Sequence, residues 1–338
     1  MLEISLLLVV VIGVALVFDF TNGAHDTANA IATVVSTKVL SPAIAVMMAA
    51  LLNLLGAFIG THVAQTVGSG IVHPDMIKGC QALTLAALCG AISWNLLTWY
   101  MGLPSSSSHA LIGGLIGATL AYRGVEALNF FSIVYKILIP LVLSPLGGFL
   151  AGYLMMLSLS WMFRNSHPRK VNQAFRRLQI LSSAFMATSH GTNDAQKTMG
   201  IITLALFVGH RIPDMTVPFW VQLACALAMA MGTAIGGWKI IKTMGHKIFK
   251  LEAVHGFSAE TSAAGVISVA SSFGAPISTT HVISSAILGV GASKRLSAVR
   301  WGIAGRMATA WILTIPAAGA VAAICFALLR LAGFVDSD

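Results

Sequence analysis

Charge is what this sequence has least of. Only 9% of its 338 residues are Asp, Glu, Lys or Arg, and eleven are acidic, whereas soluble domains carry about 25% charged residues. That scarcity excludes a water-soluble globular fold. Paired cysteines are missing too: Cys80, Cys89, Cys225 and Cys325 stand singly in apolar stretches with no C-x-x-C spacing, which argues against a disulfide framework or a zinc site and leaves packing as their role. The first apolar run, residues 4–18, follows Glu3 rather than a basic region, so no cleavable leader is expected.

Apolar residues fill the space that charge leaves. They make up 57% of the chain, in runs that repeatedly reach the roughly 20 residues needed to cross a hydrocarbon core. The expected class is an all-α integral membrane protein, multi-pass in the cell (inner) membrane, with about 10–12 membrane segments. The net charge of +9 does not signal nucleic acid. Its basic residues gather in short loops, at Arg164, Arg169, Lys170, Arg176 and Arg177, at Lys239, Lys242, Lys247 and Lys250, and at Lys294, Arg295 and Arg300, as the positive-inside rule describes. These three clusters are assigned to the cytoplasm.

Two motifs occur twice, in the same order. Asn22-Gly-Ala-His-Asp-Thr-Ala-Asn29 returns as His190-Gly-Thr-Asn-Asp-Ala-Gln-Lys197, 168 residues on, and Pro104-Ser-Ser-Ser-Ser-His109 returns as Pro276-Ile-Ser-Thr-Thr-His281, 172 residues on. The organisation read from this is a first membrane repeat over residues 1–163, a basic cytoplasmic linker over 164–179 and a second repeat over 180–338. Threading the second half from its basic clusters gives five passages, the third and fourth being 255–273 and the Pro276 run. An odd number of passages makes the two copies inverted.

Four acids fall at membrane depth: Asp19, Asp26, Asp194 and Glu260. A carboxylate there costs at least about 2.5–3.5 kcal/mol on insertion scales, so each is a functional candidate. Asp26 and Asp194 match across the repeats and are assigned to cation or proton coupling with Asn22, His25, Asn29, Asn193 and Glu260. The glycines and amides around each Asp are expected to break their helices, so the inverted repeats should contain discontinuous or re-entrant helices. Proline opening a helix would put Ser106, Ser107 and Ser108, and Ser278, Thr279 and Thr280, in a first turn, where free N–H groups and hydroxyls suit a tetrahedral oxyanion. His109, His281 and Lys197 complete the candidate oxyanion-binding set, and His62, alone in an apolar run, is read as packing. Carboxylates beside an anion require a positive partner; a metal ion, a proton or Lys197 would serve, which argues for cation-coupled symport.

At these motifs the chain closely resembles the inorganic phosphate transporter (PiT) family, whose G-A-N-D-x-A-N-A and P-I-S-[GT]-T-H patterns are matched by residues 23–30, 191–194 and 276–281, with 256–260 similar to a further family stretch. The resemblance implies secondary active uptake of inorganic phosphate with no organic cofactor. His25 and Gln196-Lys197 depart from sodium-coupled members and resemble bacterial carriers regarded as proton-coupled, for which a metal-phosphate complex is an alternative cargo. Protons are therefore favoured over sodium as the coupling ion. A sodium-coupled phosphate or sulfate permease, a channel and an intramembrane serine hydrolase built on Ser108 and His109 are the rival readings. The expected partners are phosphate and the lipid bilayer, with a homodimer left open.

Overall fold

The computed structural model describes residues 6–335, so Glu3 and the start of the apolar run 4–18 lie outside it. Thirteen α-helices hold most of the described residues, with five short 3-10 or π-helical turns and one isolated β-bridge, Val72 with Leu128, between them. In chain order the first half contains α1 (Leu6–Ser36), α2 (Pro42–Gly56), α3 (His62–Gly70), α4 (Gln81–Met101), α5 (Ser107–Arg123), α6 (Phe130–Ile133) and α7 (Ile139–Met162). The second contains α8 (Pro168–Val208), α9 (Phe219–Ile235), α10 (Trp238–Lys242), α11 (Ala253–Ser272), α12 (Thr279–Lys294) and α13 (Trp301–Leu331).

Length and hydropathy qualify α1, α4, α13 and the continuous run Phe130–Met162 as membrane spans. The helix α9 joins them when taken with the run Trp238–Lys247, across a bend of 60°. Large apolar side chains such as Leu143, Leu150, Ile312 and Leu313 face outward, the arrangement of a protein dissolved in lipid rather than water. The longest helix, α8, carries 41 residues, about 60 Å at 1.5 Å per residue. The stretch 164–179, read as a linker, is helical from Pro168 onward and forms its first turns. There Arg176 donates to the carbonyls of Thr37 and Lys38, a cation closing the far end of α1.

The expected breaks at the two Asp motifs do not occur. Helices α1 and α8 run unbroken through Asp26 and Asp194, because the motif glycines serve packing rather than bending. A Cβ on Gly23 would meet the Met229 carbonyl oxygen at 2.3 Å, and one on Gly191 the Asn53 carbonyl oxygen at the same distance. Each glycine thus lets a broken helix of the other half, α9 or α2, press its backbone against the motif. The interruptions lie between α2 and α3 and between α9 and α10, where Gly236 has φ of 77°. At the first of these, Thr61 offers no cap and Gln196 of α8 supplies one instead, its Oε1 accepting from Val63 N at 2.9 Å and Ala64 N at 3.4 Å.

Helices α4 with α5, and α11 with α12, form hairpins whose tips meet in the interior. The tip of the second lies beside Asn193, whose Nδ2 donates to Ser271 Oγ at 2.8 Å and to the Ala275 carbonyl at 3.3 Å, while α8 continues to Val208. The passages at 255–273 and from Pro276 are therefore the two arms of a re-entrant hairpin and not two full crossings; removing both leaves the parity of the threading odd. Helices α1 and α8 cross antiparallel, Asp19 meeting Thr198 at one end and the Ala30 carbonyl meeting Ser183 at the other.

Candidate transport site

One face of α1 carries Asp19, Asn22, Asp26, Asn29 and Thr33 at alternating steps of three and four, the spacing that lines up side chains along a helix. All five are buried. A polar stripe of this kind persists in a membrane only where other polar groups satisfy it, and those groups come from α8 and the two hairpin tips.

The tips place hydroxyls by capping. Pro104 and Pro276 do not open α5 and α12, as the sequence suggested; they stand two residues before the caps. Ser106 and Ser278 are the N-caps, accepting from His109 N at 3.1 Å and His281 N at 3.2 Å. Satisfying these end donors commits both cap hydroxyl oxygens to their own helices. Ser107, Ser108, Thr279 and Thr280, the first residues inside each helix, turn toward the centre.

Around Asp26, His25 Nδ1 lies 2.6 Å from Oδ1 and Ser107 donates to Oδ2 at 2.9 Å and to Asn22 Oδ1 at 2.5 Å. The other ring nitrogen of His25 faces Thr98 at 3.2 Å and Ser105 at 3.4 Å, so the imidazole is held between the carboxylate and the first hairpin. Around Asp194, Thr279 donates to Oδ2 at 2.8 Å and His190 Nε2 lies 3.0 Å from the same oxygen. The ammonium of Lys197 sits against Asp194 Oδ1, donates to Ser108 Oγ at 2.5 Å and to the Ile277 carbonyl at 2.9 Å. All three of its N–H donors are used. Cross-links join the halves: Asn29 donates to Thr279 and Thr280 at 3.2 and 2.9 Å, and Thr280 to Asp26 at 3.4 Å.

Asp26, His190 and Asp194 each present one ligand atom within 4.8 Å of the others. Two carboxylates and an imidazole at that spacing could hold a cation. Lys197 already provides a tethered positive charge beside one of them.

Other predicted residues lie apart from this centre. Asn193 braces the second hairpin. The carboxylate of Glu260 is held by Thr33 and Ser182 hydroxyls and, at 3.2 Å, by Gln179 Nε2. Thr33 is two helical turns past Asp26, about 10 Å along α1, so Glu260 forms a separate buried cluster. The rings of His109 and His281 pack with centroids 4.8 Å apart, and His281 stacks on Trp311 at 4.1 Å. Both nitrogens of His281 and Nδ1 of His109 are buried without a hydrogen-bond partner among the described residues.

Three participants were not anticipated. His190 had a signal, since it occupies the place in the second motif that Asn22 holds in the first. Ser105 had one too, lying inside the duplicated Pro104–His109 motif, whereas Thr98 had none beyond its place near a hairpin tip. His62, read as packing, is exposed.

Residues 22–322 match the model of the phosphate transporter family. The chain belongs to that family. Its members are membrane transporters rather than enzymes, and its helices make it a multi-pass protein of the cell membrane. It is 48% identical over 332 residues to a protein of Bacillus subtilis named as a probable low-affinity inorganic phosphate transporter, covering 98% of this chain and 99% of that one. A protein of Rhizobium meliloti with the same description is 50% identical over 326 residues, 95% of this chain and 96% of the other. Among solved structures, one titled the sodium-dependent phosphate transporter superposes with a TM-score of 0.90 at 26% identity, covering 96% of this chain and 99% of that one.

Proposed function

We propose that this transporter carries inorganic phosphate inward by cation symport, with the proton as coupling ion, around a site formed by Asp26, Asp194 and the two hairpin tips. The observation that carries the choice of ion is Lys197, whose ammonium rests on Asp194, Ser108 and the Ile277 carbonyl. A tethered cation at this place takes over work that sodium would otherwise do. His25 Nδ1 lies against Asp26 Oδ1 at 2.6 Å, a contact that offers a proton a place between imidazole and carboxylate. Ser107, Ser108, Thr279 and Thr280 supply hydroxyl donors for the anion, and they sit in facing first turns where the helix ends favour negative charge. The antiparallel crossing of α1 with α8 and the tip-to-tip hairpins support two inverted copies, with the ligand bound between them.

Two observations favour neighbouring readings. The structural relative is titled sodium-dependent, which supports sodium. The Asp26, His190 and Asp194 group supports a divalent cation travelling with phosphate. Ser108, the nucleophile of the hydrolase alternative, is engaged by Lys197 rather than by a histidine base.

Phosphate uptake into proteoliposomes under separately imposed gradients tests the proposal. A proton gradient alone should drive accumulation, and an inward sodium gradient alone should not. Accumulation that follows sodium and ignores the proton gradient refutes proton coupling, whereas uptake that needs a divalent metal in equal amount selects the metal-phosphate cargo.

A further inference from the structure

The short helix α3 has two unlike faces. Val63, Ala64, Val67 and Gly68 are buried, and Gly68 lies close enough to α8 that a Cβ would meet the Gly200 carbonyl at 2.9 Å. The opposite face carries His62, Gln65, Thr66 and Ser69, at the spacing of one helical stripe. It looks into a groove of about 460 Å³, closed on the far side by Lys136, Ser272, Phe273 and Gly274.

Lys136 is the telling residue. It belongs to the apolar run Phe130–Met162, long enough to span a membrane, and stands in a π-helical turn, Val134–Leu138. It stands near one end of that run and is exposed, so its ammonium can reach the polar side of the membrane boundary, beside the polar row of α3. An ammonium, an imidazole and an amide around the groove can donate, while the hydroxyls of Thr66, Ser69 and Ser272 give their protons to backbone carbonyls of their own helices. Neither this groove nor the cavity behind it is lined by Asp or Glu among the described residues.

The cavity behind, about 380 Å³, shares His62 and Ser272 with the groove and reaches Thr192, Gln196 and Ser271. Ser271 holds Asn193, the neighbour of Asp194, and Gln196 precedes Lys197. The groove and the cavity thus adjoin each other along α8, the helix that carries Asp194 and Lys197. On the threading from the basic clusters the groove opens in the outer half of the membrane.

We propose that this groove is a loading site for a phosphate oxyanion, held by Lys136 and His62 before it passes to the centre. The inference rests on phosphate being the cargo. A cationic pocket with low-dielectric walls raises the local anion concentration and the entry rate, an effect that weakens with salt.

Initial uptake by the full chain in proteoliposomes, measured against phosphate concentration, tests it. Lys136→Gln should raise KM about fivefold and Lys136→Glu about tenfold, with kcat within about twofold, and the rise should shrink at high ionic strength. Lys136→Arg should restore the parent KM. Lys78→Gln, which removes a surface lysine paired with Asp75 at 2.5 Å, should leave KM alone. An unchanged KM in Lys136→Glu, or an equal rise in Lys78→Gln, overturns the proposal. A Lys136 effect seen only when the vesicles contain anionic phospholipid assigns the groove to a lipid head group and also overturns it. One arm needs no transport. Ser69→Cys, in a background without the native cysteines, should be labelled by an impermeant thiol reagent and protected by inorganic phosphate more than by an equal ionic strength of chloride. Absence of that protection rejects the loading site, even if uptake proves the transport function. Protection in a protein that fails to carry phosphate would instead reject the function and keep the site.

Discussion

Replacing Lys197 by asparagine, the residue type at the matching position 29, isolates the charge on which the coupling argument turns. The ammonium touches Asp194, Ser108 and the Ile277 carbonyl, and the lysine side chain is buried. Without it, Asp194 and Asp26, both in a group within 4.8 Å, face each other across neutral hydroxyl and amide groups and histidines, with no lysine charge beside them. At an effective dielectric constant of about 20, two unit charges at that distance repel by at least about 3 kcal/mol. Breaking a buried ion pair costs about 3–5 kcal/mol, because the partner's charge is left behind. A loss of 3 kcal/mol is more than a hundredfold in the population of the competent site, at about 1.4 kcal/mol per factor of ten. Uptake in sodium-free medium should therefore fall at least about a hundredfold, and added sodium should return part of it by filling the vacated place. The double variant Lys197→Asn with Asp194→Asn removes the pair together, so it should regain thermal stability without regaining accumulation. The assay is proteoliposome uptake with and without sodium, alongside a melting curve of each purified protein. Sodium-free uptake by Lys197→Asn within a fewfold of the parent would refute the reasoning.

Asp26→Asn and Asp194→Asn should each abolish phosphate accumulation while the protein still reaches the membrane, and near-normal accumulation by either removes that residue from the mechanism. Ser106→Ala and Ser278→Ala should each lower stability by about 1 kcal/mol, the worth of an N-cap, and reduce uptake less than Ser107→Ala, which breaks contacts to both Asn22 and Asp26; the reverse order in transport assays would return the caps to the ligand site. Gly23→Val and Gly191→Val should both fail to give folded, monodisperse protein, because their Cβ atoms would sit 2.3 Å from a backbone oxygen of the neighbouring helix. Normal elution and melting of either variant would show that the helices can separate there at little cost.

The membrane class, the two duplicated motifs and the pairing of Asp26 with Asp194 could all be read without coordinates. Hydropathy is a property each residue carries alone, and a carboxylate in an apolar run is conspicuous wherever the run goes. The resemblance of residues 276–281 to a known pattern pointed at the hydroxyls in the same way. What those hydroxyls do was decided by geometry: three residues of displacement in the helix start turned Ser106 and Ser278 into caps and left Ser107 and Thr279 to face the carboxylates. The motif glycines were misread as breaks because a glycine that bends a helix and one that admits a neighbouring backbone look the same in sequence; only the close approach of α9 and α2 separates them. Glu260 belongs to another cluster, His190 to the centre and Gln196 to the end of a helix more than 130 residues away, since a buried polar group takes whichever partner packing brings within 3 Å. Sequence determined which groups the membrane would force to find partners, and tertiary structure decided which partners they found.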